Sequence, residues 1–165
     1  MSVSRRTAAP ALCCCLAASA AAQVQERLIR FDATHCYVAE APTIEFVAEY
    51  WVRALLMRGT TRAAEPGGPL DGAATRCFGT LANVGVAPLV GSGYCEYAIS
   101  VEDRLLLRWS FEAGQGEGRS VILGGTGRYH GASGEATFQV LAPIPSVEPG
   151  VFRACARSTG QFKTP

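Results

Sequence analysis

The sequence predicts an all-β fold: one closed antiparallel barrel of about eight short strands. Three observations carry this. Runs rich in β-branched and aromatic residues recur at short intervals, separated by strong turn clusters: EPGGPLDG at 65–72, AGQGEG at 113–118 and APIPSVEPG at 142–150. Two runs alternate with period two. Leu105, Leu107, Trp109 and Phe111 share one face against Arg104, Arg108 and Glu112, and Ala136, Phe138 and Val140 oppose Glu135, Thr137 and Gln139. Finally, Val121 to Phe138, VILGGTGRYHGASGEATF, reads as a hairpin: a β-type run enters a glycine-rich turn and another leaves it. Two other readings of those glycines need a helix after them. Gly125, Gly127 and Gly131 miss the GxGxxG spacing of a dinucleotide site, no Gly-Lys-Ser/Thr follows, and GEATFQVL has strand character.

The first residues belong to targeting. Arg5 and Arg6 precede an apolar run from Ala8 to Ala22, and Ala20-Ala21-Ala22 before Gln23 forms an A-x-A-like cleavage site, so residues 1–22 read as a secretory signal peptide. The apolar core is shorter than the roughly 18 uncharged residues a membrane span requires. Cys13, Cys14 and Cys15 fall inside it as apolar filler, and the residues before Cys15 are not those of a lipoprotein anchor. The remaining residues, 23–165, suffice for one domain with its own core. Loss of Arg5 and Arg6 takes the formal charge from +1 to −1. This balance carries no electrostatic footprint for nucleic acid or an anionic membrane.

The strands follow in order. Val24–Thr34 is the first. In Thr43 to Met57, Glu45, Glu49 and Arg53 recur every four residues, which suits a helix stripe as well as one strand face. Aromatic and β-branched content makes Phe46–Arg58 a strand, and Pro42 to Phe46 stays open to a helical turn. Ala74–Asn83, Gly93–Val101, Arg104–Phe111, Ser120–Leu123, Glu135–Leu141 and Val151–Phe162 complete the set.

Four cysteines remain in the mature chain: Cys36, Cys77, Cys95 and Cys155. In an exported chain an even count implies disulfides, with three connectivities open. Cys77 and Cys95 sit at matching places in two consecutive runs, TRCFGTL and GYCEYAI, which favours joining them. Cys36 would then pair with Cys155, joining first and last strands as a closed barrel allows. The alternative, zinc on His35 and Cys36, lacks any CxxC, HxH or HExxH spacing, and no metal is expected.

The GGTG–Arg128–Tyr129–Gly131–Ala132–Gly134 hairpin resembles the signature of the allene-oxide-cyclase/dirigent-like β-barrel superfamily. The run TRCFG, GSGYCEY, a short hairpin at Ser100 to Asp103, then LLLRW is similar to its secreted bacterial members. The resemblance covers most of the mature chain. It implies a hydrophobic lumen that binds an apolar small molecule, no cofactor, and a homo-oligomer, trimer or dimer. Plant members steer phenoxyl-radical coupling or cyclise an unstable fatty-acid epoxide.

Catalytic constellations are scarce. Ser92 and Ser133 lack the GxSxG elbow. His35, near a strand end, and His130, in the hairpin, read as solvated loop residues. Glu45 with Glu49 and Glu96 with Asp103 are carboxylate pairs, but nothing fixes the separation that glycoside hydrolysis needs. If the charged faces turn inward, Glu49, Arg53, Glu96 and Arg108 are the catalytic candidates, because an arginine keeps a carboxylate ionised and an unpaired carboxylate becomes a useful acid or base. Trp51, Tyr97 and Trp109 are the ligand-binding candidates. Two readings follow: a cyclase- or isomerase-like barrel that works by orientation and exclusion of water, and a non-enzymatic exported barrel, secreted or periplasmic, that binds a ligand or partner. An open cavity with a buried polar group favours the first, a filled interior the second.

Overall fold

The computed structural model describes residues 26–141, 144–146 and 148–165; the expected signal peptide lies outside these residues. Nine strands follow one another: β1 Arg27–Glu40, β2 Thr43–Val47, β3 Tyr50–Ala63, β4 Ala74–Val84, β5 Val90–Ala98, β6 Arg104–Glu112, β7 Gly118–Thr126, β8 Ser133–Val140 and β9 Val151–Thr164. All pair antiparallel in the order β1-β9-β8-β7-β6-β5-β4-β3, and β3 pairs back onto β1, which closes an eight-stranded barrel. The short β2 is the ninth strand. It continues the direction of β1 beyond Pro42 and pairs with the first residues of β3, Thr43 opposite Arg53. The open question over Pro42 to Phe46 is therefore resolved as strand, because β3 offers it a free edge where β1 has ended.

The alternation predicted for β6 holds around the wall. Leu105, Leu107 and Trp109 point inward and are buried, while Leu106, Arg108 and Ser110 are exposed. The C-terminal end of β1 differs from expectation, while Val24 and Gln25 lie outside the described residues. The strand runs to Glu40, which carries His35 and Cys36 from a strand end to mid-strand. A strand continues while its neighbours supply partners, and β9 and β3 do so up to Glu40.

One end of the barrel is plugged. Residues 64–73 fold across it, tied by Asp71, whose carboxylate accepts from the Ala63 and Gly67 amides at 3.1 and 3.0 Å. This strap buries Leu70 and Ala73. The β7–β8 hairpin closes the same end through a single 3-10 turn, Gly127–Tyr129, that turns Tyr129 inward onto Phe162, ring centroids 5.8 Å apart. Gly125 is required there because a Cβ would overlap the Arg104 carbonyl, and Gly127 because φ is +56°. Asp103 secures the turn by accepting from the backbone and Nε of Arg128, each at 2.9 Å. The glycine motif thus shapes a barrel end.

Both expected disulfides are present. Cys36–Cys155 joins register partners on the outer face of β1 and β9, and Cys77–Cys95 joins register partners on the inner face of β4 and β5. No helix among the described residues is long and apolar enough to cross a membrane.

Candidate functional site

Above the plug, the centre of the lumen holds a polar belt. His35 on β1 and Tyr97 on β5 are not neighbours in the wall, since β3 and β4 lie between them. Their side chains meet across the interior, with Tyr97 Oη 3.2 Å from His35 Nδ1 and 3.4 Å from Nε2. Ser158 Oγ, from β9, lies 3.1 Å from Nε2. Beside them Thr61 and Thr75 share a hydrogen bond of 2.9 Å. Register explains the grouping: Thr61 faces His35 across β3–β1, and Thr75 faces Tyr97 across β4–β5. Every one of these is at an inward parity of its strand.

Burial sets the electrostatics. Desolvation lowers the His35 pKa to about 4, so at neutral pH the imidazole is an uncharged base. The same cause raises the Tyr97 phenol well above its usual range, so it stays a donor. Neutral His35, Tyr97 and Ser158 carry one proton donor each, and the chain they form uses two. Whichever ring nitrogen holds its proton, one O–H at an end of the chain is left over, and that is a group able to donate to a ligand.

The opposite end is the mouth. Its inward-facing side chains Tyr37, Leu81, Phe111 and Phe138 are only half-buried, with Phe152 exposed beside Tyr37 at a centroid distance of 6.3 Å. Above them, near the start of β3, Arg53 lies 4.9 Å over the Trp51 ring and donates through Nε to Thr43 at 2.9 Å. Between mouth and belt sits Trp109. Its indole lies on Gly79, Gly91 and Gly93 of β4 and β5, where a Cβ would run into the indole carbons. Phe138 meets it edge-on at 6.4 Å.

The residues singled out from sequence divide accordingly. Tyr97 and Trp109 are inside the lumen, and Trp51 and Arg53 are at its rim. Glu49 occupies the exposed turn before β3 with φ +67°. Arg108 is on the outer wall. So is Glu96, which accepts from Arg104 at 2.6 Å and Arg76 at 2.7 Å. The Arg104 hydrogen bond in particular holds its pKa below the usual carboxylate range, leaving a fixed anion. A cleft of about 530 Å³ runs past Glu96, Arg104 and Leu106 on this outer face, and another of about 350 Å³ lies along Thr80, Ser92, Ser110 and Arg119 by the rim.

His35, Ser158, Thr61 and Thr75 are the belt residues that sequence reasoning missed as site residues, and His35 corrects the reading of it as a solvated loop residue. A signal existed: in RFDATHC, Phe31, Ala33 and His35 share a parity, so an apolar inward face carries the histidine with it. Its partners are 62 and 123 residues away, which no local pattern reveals.

No family model and no curated protein matches the chain. Among solved structures, the pterocarpan synthase dirigent protein GePTS1 superposes with a TM-score of 0.52 over 86% of this chain and 87% of that one, at 14% identity. PsPTS1, also a pterocarpan synthase dirigent protein, covers 86% of this chain and 96% of its own with a TM-score of 0.47 at 15% identity. At such identities the likeness is one of fold, and the barrel is dirigent-like in that sense.

Proposed function

We propose that this dirigent-like barrel admits an apolar small molecule through its aromatic mouth and orients it on the polar belt. In this reading the wall steers a cyclisation or isomerisation while His35 and Tyr97 exchange a proton with the ligand. The observation that carries it is the hydrogen bond between His35 and Tyr97 across the lumen, which brings an uncharged base and a phenolic donor together in a desolvated interior. Arg53 and Trp51 guard the entrance, and Trp109 lines the path. Glu49, Glu96 and Arg108, being outside the lumen, take no part. Export with cleavage near Gln23 supplies the oxidising compartment that suits both disulfides.

A second reading, a binding barrel without turnover, is favoured by the outward placement of Glu96 and Arg108, two of the four charged catalytic candidates.

The test uses the neutral apolar fluorophore N-phenyl-1-naphthylamine. Phe111→Ser at the mouth should weaken its binding about ten-fold or more, and Phe78→Ser, on the exposed outer wall, should leave it unchanged. Binding lost with Phe78→Ser but retained with Phe111→Ser places the ligand on the outer wall and sinks the proposal. Mass spectrometry of molecules retained through native purification then supplies the substrate. Turnover lost in His35→Gln and Tyr97→Phe supports the first reading, and binding with no turnover in the parent supports the second.

A further inference from the structure

Trp109 carries a feature that the packing of the barrel leaves unexplained. The residue is 7% exposed, and its Nε1–H is buried with no acceptor among the described residues. Proteins rarely leave an indole N–H so, because a buried donor without a partner forfeits its bond to water. The residue faces the lumen on β6, opposite Gly93 on β5 and Ser120 on β7. Gly79, Gly91 and Gly93 make room in the wall for the indole itself, since a Cβ at each would press on its carbons.

We infer that Trp109 Nε1 is the hydrogen-bond donor of the ligand site, and that the lumen selects a neutral apolar molecule bearing an acceptor oxygen, such as a ketone, ester, ether or epoxide. The inference rests on the lumen reading and adds the ligand's chemistry to it. Two donors then face the ligand along one path: the indole N–H, and deeper in, the O–H left over from the His35, Tyr97 and Ser158 chain. A hydrocarbon of the same shape leaves both unmet. A carboxylate fares no better, since the belt that faces it, His35, Tyr97, Ser158, Thr61 and Thr75, holds no side chain that is a cation at neutral pH to offset desolvation. Arg53 does not supply one. It stays at the rim, held by Thr43 and Trp51. A site built to hydrogen-bond an oxygen discriminates strongly against an analogue lacking it, whereas an apolar wall alone does not.

The experiment compares 2-decanone, decane and decanoate as competitors of N-phenyl-1-naphthylamine on the full chain with both disulfides intact. It also follows the indole N–H resonances of ¹⁵N-labelled protein, with Trp109 assigned from the Trp109→Phe spectrum. The ketone is expected to compete at concentrations roughly ten-fold or more below those of decane and decanoate, and to move the Trp109 resonance downfield. In Trp109→Phe, ketone and decane should converge. Equal competition by ketone and decane in the parent overturns the inference while leaving the lumen reading standing; no competition by any of the three removes both. A ketone that wins without moving the Trp109 resonance also overturns it. If Trp109→Phe fails to fold, ring-4-fluorinated tryptophan distinguishes the two indoles and the ketone-induced shift alone decides.

Discussion

At the scale of the residue, burial of His35 leaves a mark on stability in mildly acid solution. Its pKa is about 4 in the folded chain, against a model value of 6.5. The unfolded chain therefore binds the extra proton first, and the stabilisation is full above pH 6.5 and lost as pH falls toward 4. At about 1.4 kcal/mol per pH unit this amounts to roughly 3 kcal/mol at the lower limit. Glu96, held low first by its hydrogen bond from Arg104, and Asp32, held low by that from Arg157, act in a different window. Their contributions stay intact above the usual carboxylate range and are lost only below it. Thermal melts from pH 7 to pH 4 should accordingly fall in the parent and stay flat in His35→Gln over the same range. Parallel curves for the two proteins would show that His35 is already solvated.

At the scale of the element, the two disulfides close loops of different length. Cys36–Cys155 spans a sequence separation of 119 and ties the first strand to the last, while Cys77–Cys95 spans 18 and ties neighbours in a hairpin. In the chain-entropy account the long loop stabilises by about 5 kcal/mol and the short one by about 3. Cys36→Ser with Cys155→Ser should lower the midpoint of denaturant unfolding further than Cys77→Ala with Cys95→Ala. The reverse order would mean that the inner bridge acts through packing of the lumen rather than through the unfolded chain. The hairpin glycines act at this scale as well. Gly125→Ala forces a Cβ onto the Arg104 carbonyl and displaces Tyr129 from the plug, so its cost falls on stability and not on ligand selection.

At the scale of the molecule, closure removes the free edges that an open sheet would present, and every barrel strand is paired on both sides. β2 is the exception. All five of its residues are exposed, including Ile44 at 64% and Phe46 at 67%, and it pairs with β3 alone. Hydrogen exchange should therefore find the Thr43 to Val47 amides opening well before global unfolding. The inner rows of β6 and β9, around Leu105 and Phe162, should exchange only with it. Protection of β2 equal to that of β6 would mean that β2 is held by something besides β3.

The sequence by itself determined the class of this fold. Alternation in LLLRW and in EATFQV needs a wall with an inside and an outside, and the glycines of GGTGRYHG need a tight turn. The matching places of Cys77 and Cys95 told which thiols meet, because paired hairpin strands are local. The lumen was a different matter. Period two sorts residues into two faces, but where both faces mix apolar with polar groups it does not say which one turns inward; Glu96 and Tyr97 are adjacent, and only closure sends Tyr97 in and Glu96 out to its arginines. His35, Tyr97 and Ser158 come from β1, β5 and β9, and Trp109 finds its bed of glycines on two other strands. Those meetings depend on barrel curvature and strand stagger, which belong to the closed sheet as a whole and to no segment of the chain.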